Sequence, residues 1–249
     1  MKVPYLSASR IELYEGCARK YYYIYECGMK TTTHPSAHIG TAVHEALEKF
    51  ISNKANLYTA YDNAIKKIPT VSKDYYEDGL QILKHLESRG IIDSGVKVIA
   101  TEKPFDLTLD NGVRVKGYID RIDERDSNTL EITDYKTTKW PYTAEQIDRD
   151  IQVGIYNLVV RENLYPQYPI IVVTFDFVRF GRQSTVRSPA QLSALKRYLR
   201  VVYDKIQADD GQIGTVSDKC SCLLYTSDAA DDLLCVEFGG RRIIKKNNI

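Results

Sequence analysis

Apolar positions recur at helical spacing up to residue 89 and then change to a period of two. Ser9 and Glu12 form a capping box that opens a first helix, and Tyr14, Cys17, Ala18, Tyr21 and Tyr22 follow on one face of it. Residues 29–36 read as a loop. A second helix is expected over 38–52, with Val43, Leu47, Phe50 and Ile51 as its apolar stripe. His44 borders that stripe, and Gly40 lies one turn earlier on the same side. Two further helices are expected over 56–67 and 73–89. Residues 96–109 and 113–123 then alternate as strands around Asp110-Asn111-Gly112, a strong hairpin turn. A polar turn over 124–128 precedes a strand over 130–137. Side chains alternate across a strand, so Leu130, Ile132, Asp134 and Lys136 share one face while Tyr135 faces away. The apolar pair anchors the strand, and the charged pair emerges at its end. Thr143 and Gln146 form a second capping box, opening a long helix to about residue 163. Residues 170–180 read as an apolar strand, and Pro189 starts a final helix to about residue 208. No internal repeat, low-complexity run or linker breaks this series, which predicts one α/β (or α+β) domain over residues 1–221.

The formal net charge is +1, so there is no global signal for nucleic acid and any basic groove has to be local. Nineteen tyrosines against six phenylalanines supply rings that can stack on unpaired bases or fill half-buried surfaces. No stretch is long and apolar enough to span a membrane, and the N-terminus lacks a signal-peptide apolar region. A soluble cytoplasmic protein, of a bacterial, archaeal or phage-infected cell, is the expectation. In that compartment cysteines are read as free thiols or metal ligands.

Candidate chemistry concentrates at the end of the 130–137 strand. Asp134 and Lys136 project together, and Asp120 lies one hairpin upstream in Gly117-Tyr118-Ile119-Asp120-Arg121-Ile122-Asp123. Two carboxylates and an ammonium at one sheet edge suit phosphodiester hydrolysis. The carboxylates hold Mg²⁺ or Mn²⁺, and the lysine orients or polarises the attacking water. The bland alternative for Asp120 is a surface ion pair with Arg121 or Arg125. Asp123 reads as a turn residue or salt-bridge partner.

Asp120 followed by Asp134-x-Lys136 resembles the core of the PD-(D/E)XK nuclease superfamily, and closest in detail is its RecB-like branch of CRISPR-associated and helicase-coupled exonucleases. Three further segments match in order. Ser7 to Tyr21, with Cys17, is similar to the N-terminal Ser/Cys/Tyr helix; Gly40-Thr41-Ala42-Val43-His44 to the histidine motif; Gln152 and Tyr156 to the Gln-x-x-x-Tyr motif. The resemblance covers roughly residues 5–220. It implies a restriction-endonuclease-like central mixed β-sheet flanked by helices. It also implies a metal-dependent deoxyribonuclease, exonuclease rather than endonuclease, acting on single-stranded DNA or DNA ends. Recombination, repair and phage or CRISPR DNA processing are the settings it suggests, with a helicase or recombination partner. The metal ligands it implies are His44, Asp120, Asp134, the Tyr135 backbone carbonyl and Glu102. Imidazole suits Mn²⁺ better than Mg²⁺, so Mn²⁺ is expected to support activity at least as well. Gln152 and Tyr156 would contact DNA or order Lys136 and water. The rival from another class is a non-catalytic DNA-binding or scaffold subunit on the same fold. Such a subunit is expected to have lost one of Asp120, Asp134 or Lys136, and all are present.

One subgroup of this branch carries an iron–sulfur cluster held by one N-terminal and three C-terminal cysteines. Cys17 matches the first position and Cys220 the start of the trio, whereas Cys27, Cys222 and Cys235 do not fit. A [4Fe–4S] cluster normally needs four thiolates, so it is expected only in an untruncated parent. Residues 222–249 resemble translated sequencing-library adapter, and the natural frame is expected to be cut near Ser221. Removing that tail takes away four acidic and four basic residues and leaves the net charge unchanged.

Overall fold

Alternation and turn chemistry build a five-stranded sheet in the computed structural model, which describes residues 1–30, 35–69 and 71–210. The strands are β1 (Lys97–Thr108), β2 (Arg114–Asp126), β3 (Thr129–Lys136), β4 (Ile170–Phe177) and β5 (Gly181–Val186), in the order β1-β2-β3-β4-β5. All neighbours run antiparallel except β3 and β4, so the sheet is mixed, as expected. The β1–β2 turn is the hairpin read from the sequence. Asn111 Oδ1 accepts from Val113 N at 3.1 Å, and Gly112 takes a φ of +81° that a side chain would resist.

Parallel neighbours need a crossover. Here it consists of α6 (Ala144–Arg149), α7 (Ile151–Val159) and a π-helical turn, Val160–Leu164. The Thr143–Gln146 capping box is present, but the single long helix is not. Asp150 leaves the helical conformation, with ψ +124°, and its carboxylate accepts from Gln152 N and Val153 N to start α7. An N-cap inside the apolar pattern therefore splits the predicted helix.

One side of the sheet carries α3 (Pro35–Ile51), α4 (Leu57–Ile65) and α5 (Lys73–Arg89), whose buried apolar residues form a core with Tyr135 and Val178. Asn56 and Ser72 cap α4 and α5. By register, Ile132 and Asp134 share the other face with Val173 and Phe175. Tyr156 of α7 reaches Asp134 there. The strand expected over 170–180 ends at Phe177 and turns back as β5, which sequence patterning missed because its mostly polar, partly buried residues offer no apolar run. The last helix is α8 (Pro189–Ala208).

The chain forms two compact units. Residues 4–204, less 9–31, hold the sheet and the helices around it. The other unit's described parts are 1–3, 9–30 and 205–210, with α1 (Ala8–Gly16) and α2 (Ala18–Tyr25). Where the apolar stripe predicts one continuous first helix, Cys17 interrupts it. Its backbone is extended (φ −166°), and its sulfur accepts from Lys20 N to cap α2. Within this unit Tyr14 packs edge-on against Tyr21 at 5.6 Å and donates to Asp209 at 2.9 Å.

Candidate active site

The β2–β3 ladder pairs Arg121 with Thr133 and stops. Asp120 and Asp134 would be the next pair, so both carboxylates stand at the point where the two strands part. The opening is bridged by a side chain: Asp120 Oδ2 accepts from Tyr135 N at 2.8 Å. In an extended strand a residue's N–H and C=O point the same way. The Tyr135 carbonyl therefore faces the gap that Asp120 spans. The Tyr135 ring is on the opposite side, where its hydroxyl accepts from the buried guanidinium of Arg121 at 2.6 Å.

His44 arrives from α3. A Cβ on Gly40 would lie 2.9 Å from Thr137 Oγ1, just past the end of β3, so the absence of a side chain lets the helix close onto the strand end. One turn later, His44 Nδ1 lies 3.3 Å from Asp120 Oδ2. Glu102 arrives from β1. Thr101 pairs with Arg121 and Lys103 with Ile119, which sets Glu102 opposite Asp120. Its φ of +45° is the left-handed region, rarely occupied by a non-glycine residue within a strand. Ligand atoms of His44, Glu102 and Asp120 all lie within 4.8 Å of one another.

Asp134 stands outside that trio and leads into a second chain of polar groups. Lys136 Nζ lies 2.7 Å from Asp134 Oδ2, donates to Gln152 Oε1 at 2.6 Å and sits 4.6 Å from the centre of the Phe175 ring. Gln152 Nε2 donates to the Tyr156 hydroxyl at 2.7 Å. That hydroxyl has the Tyr118 carbonyl at 2.8 Å and Asp134 Oδ1 at 3.2 Å as acceptors. The expected pairing of Gln152 with Tyr156 on one helical turn is thus present, aimed by the Asp150 cap. The alternative of an Asp120–Arg121 or Asp120–Arg125 surface pair is not. Arg121 binds Asp123, and Arg125 binds Glu131 and Asp93. Asp123 is a buried salt-bridge partner within β2 rather than a turn residue.

Crowded negative charge sets the electrostatics. Burial and the nearby charge of Asp120, only partly offset by Lys136, push Asp134 up to about 6. Burial also lifts Glu102, aided by Asp120. For His44, burial opposes the charged form, but its bond to Asp120 and the charges of Asp120, Asp134 and Glu102 outweigh burial and raise it to about 9. Burial likewise opposes charge on Lys136, and Asp134 overcomes it, so the ammonium is favoured beyond its ordinary range.

These residues fit a hard divalent cation. The donors are carboxylate and carbonyl oxygens plus one imidazole, a set suited to Mg²⁺ or Mn²⁺. Asp134 Oδ2 is buried, and the Lys136 ammonium 2.7 Å away offsets its charge only in part. A buried carboxylate whose charge is only partly offset is costly, and a bound divalent cation would complete it. The sequence named His44, Glu102, Asp120, Asp134, Tyr135, Lys136, Gln152 and Tyr156, and the fold brings them together where the inner strands β2 and β3 part. It did not reveal Arg121 as the group holding Tyr135 from behind, nor Asp150 as the cap that aims α7. An Asp immediately before an apolar helical run was the available signal for the second.

Of the cysteines named for a cluster, Cys17 is buried and caps α2. Cys220 and the adapter-like residues 222–249 lie outside the described residues. No helix among the described residues is long and apolar enough to cross a membrane.

Comparison with known proteins extends this picture. The chain is 28% identical over 152 residues to a subunit of the ATP-dependent helicase/deoxyribonuclease of Streptococcus uberis, covering 54% of this chain and 14% of that one. The corresponding protein of Streptococcus agalactiae is 28% identical over 158 residues, 57% of this chain and 15% of its own. That of Streptococcus mutans is 27% identical over 155 residues, again 54% and 14%. The aligned stretch is thus about one-seventh of these relatives' length. A crystal structure from Eubacterium rectale, of a protein named provisionally as an exonuclease, superposes with a TM-score of 0.59 at 14% identity. It covers 98% of this chain and 91% of that one, a likeness of fold. The family model of the PD-(D/E)XK nuclease superfamily matches residues 5–222, the whole of the sheet and the parted strands included, and the chain belongs to that superfamily.

Proposed function

We propose that this chain is a metal-dependent deoxyribonuclease, an exonuclease rather than an endonuclease, that hydrolyses phosphodiester bonds in single-stranded DNA or at DNA ends. The observation that carries the reading is the parting of β2 and β3 at Asp120 and Asp134, with His44 and Glu102 converging on Asp120. His44, Asp120, Asp134, the Tyr135 carbonyl and Glu102 would hold Mg²⁺ or Mn²⁺. When bound, such an ion makes a water more acidic and stabilises charge on a scissile phosphate.

The chain's own groups do the positioning. Lys136, cationic and held by Asp134 and Gln152, offers a fixed donor to the attacking water or the phosphate oxygen. Gln152 and Tyr156 hold that lysine and the Asp134 carboxylate in one geometry. Single-strand preference, a helicase or recombination partner, and a role in recombination, repair or phage or CRISPR DNA processing are part of the same proposal. The words helicase and deoxyribonuclease in the streptococcal proteins' name support the helicase partner and the DNA cleavage. An iron–sulfur cluster using Cys17 and Cys220 is a separate element of it, tested by iron and sulfide content.

The test is cleavage of end-labelled single- and double-stranded DNA in Mg²⁺, Mn²⁺ and EDTA, with Asp134→Ala beside the parent and circular dichroism on both. Metal-dependent cleavage lost in the variant supports the nuclease. A well-folded chain that binds DNA and cleaves none in either metal is instead a binding or scaffold subunit.

A further inference from the structure

We propose that Trp140 and Tyr118 form a base-stacking clamp that engages unpaired nucleotides on the two sides of the scissile phosphate and so makes the site selective for single-stranded DNA. The inference rests on the nuclease reading above and deepens it. Trp140 is the chain's single tryptophan and is 76% exposed, and Tyr118 is 62% exposed. These are the two most exposed large apolar side chains among the described residues. Both rings are open to a flat ligand that can stack on them.

Their placement names that ligand. Tyr118 lies two residues before Asp120 on β2, and its carbonyl is an acceptor for the Tyr156 hydroxyl. Trp140 lies four residues beyond Lys136, at the end of the other parted strand. Four residues span at most about 14 Å, the reach of two or three nucleotides of extended single strand. The segment bearing Trp140 is anchored on both sides. Thr138 Oγ1 donates to the Trp140 carbonyl at 2.9 Å. The Tyr142 ring packs edge-on against Phe175 and Phe177 at 5.8 and 5.3 Å, and Gln183 donates to the Tyr142 carbonyl at 3.2 Å. The indole is therefore presented from a pinned loop. Exposed Lys139 beside it supplies a cation for backbone phosphate. Every base has a π-face that stacks on an aromatic ring, whereas a base within a duplex already has both faces covered by its neighbours.

The single tryptophan makes the test direct. The full chain, in EDTA and again in Ca²⁺ at fixed salt, is titrated with a short oligothymidylate and with a blunt hairpin duplex while tryptophan emission is followed. Saturable quenching by the single strand is expected, with affinity about tenfold above that for the duplex. Tyr118→Ala should weaken single-strand binding about tenfold, and Tyr118→Phe should restore it. In Mn²⁺, Trp140→Ala should lower the ratio of single- to double-strand cleavage about tenfold, and Trp140→Phe should recover most of it. An oligothymidylate that binds by anisotropy without quenching Trp140, or a cleavage ratio untouched by Trp140→Ala, overturns the clamp. Cleavage of both strand types alike without quenching leaves the nuclease standing and removes the clamp. Quenching without cleavage in either metal does the reverse.

Discussion

Two clusters of charge share one sheet, a single residue apart, and differ in how they are balanced. Behind the ladder, Arg121 pairs with Asp123, Arg125 with Asp93 and Glu131, Arg182 with Asp93 and Asp176, and Arg89 with Asp176. That is four arginines against four carboxylates, and Asp123 and Asp176 within it are fully buried. At the parted end, Glu102, Asp120 and Asp134 face one lysine and one histidine. The balanced cluster sits where β2 and β3 are still paired. The unbalanced one begins at the first residue past the last pair. Buried ion pairs of the first kind hold a register. A surplus of carboxylates over cations stores electrostatic cost that a bound cation relieves.

The comparison breaks most sharply at Asp134. Asp134→Asn should reduce DNA cleavage by about 10³-fold or more, as loss of a central charged group at such a site does. The same change should raise the thermal midpoint of the metal-free protein, because it removes a raised-pKa carboxylate. Parallel activity assays and melts check both, and a lower metal-free midpoint would mean that Asp134 is balanced after all. Across the sheet the expectation inverts. Arg121→Met strands the buried Asp123 and should cost about 3–5 kcal/mol in chemical denaturation. Adding Asp123→Leu should recover most of that loss.

A smaller effect is expected at the support of Lys136. Gln152→Ala should lower turnover about 10–100-fold with the fold intact, the usual scale for groups that orient a reacting residue. Next comes pH. His44, at about 9 when folded against an ordinary 6.5, contributes stability that is full below about 6.5 and lost as pH rises through about 9. Asp134, at about 6 against 3.8, holds its proton more tightly when folded, so stability also falls between about pH 4 and 6. Metal-free melts should therefore decline over both windows. Added Mn²⁺, which needs Asp134 ionised and His44 neutral, should stabilise more at pH 9 than at pH 6. A metal shift that shrinks as pH rises would count against this ligand set. The smallest expected effect is at Gly40. Gly40→Ala crowds Thr137 Oγ1 and should cost about 1 kcal/mol while weakening Mn²⁺ binding, and Thr137→Ala in the same chain should relieve it.

Much of this was legible from local pattern. The Asp110-Asn111-Gly112 hairpin, the Thr143–Gln146 cap and the shared face of Asp134 and Lys136 all follow from turn chemistry and a two-residue period. The misses are also physical. Cys17 and Asp150 each leave the helical conformation inside a continuous apolar stripe, and a stripe records burial rather than backbone continuity. β5 is polar and only partly buried, so its strand character comes from pairing with β4. The left-handed backbone of Glu102 has no signature in residue type, since it is imposed by the strands around it.

The chain's sequence alone determined which residues are chemically able to bind a cation and that Asp134 and Lys136 emerge together, because side-chain alternation is a property of neighbouring residues. Only the tertiary structure decided that β2 and β3 part at Asp120, that His44 reaches it across the close approach of Gly40 to Thr137, and that Glu102 turns in to meet them. Those contacts join segments far apart in the chain, and packing of the whole sheet against its helices sets them rather than any local preference.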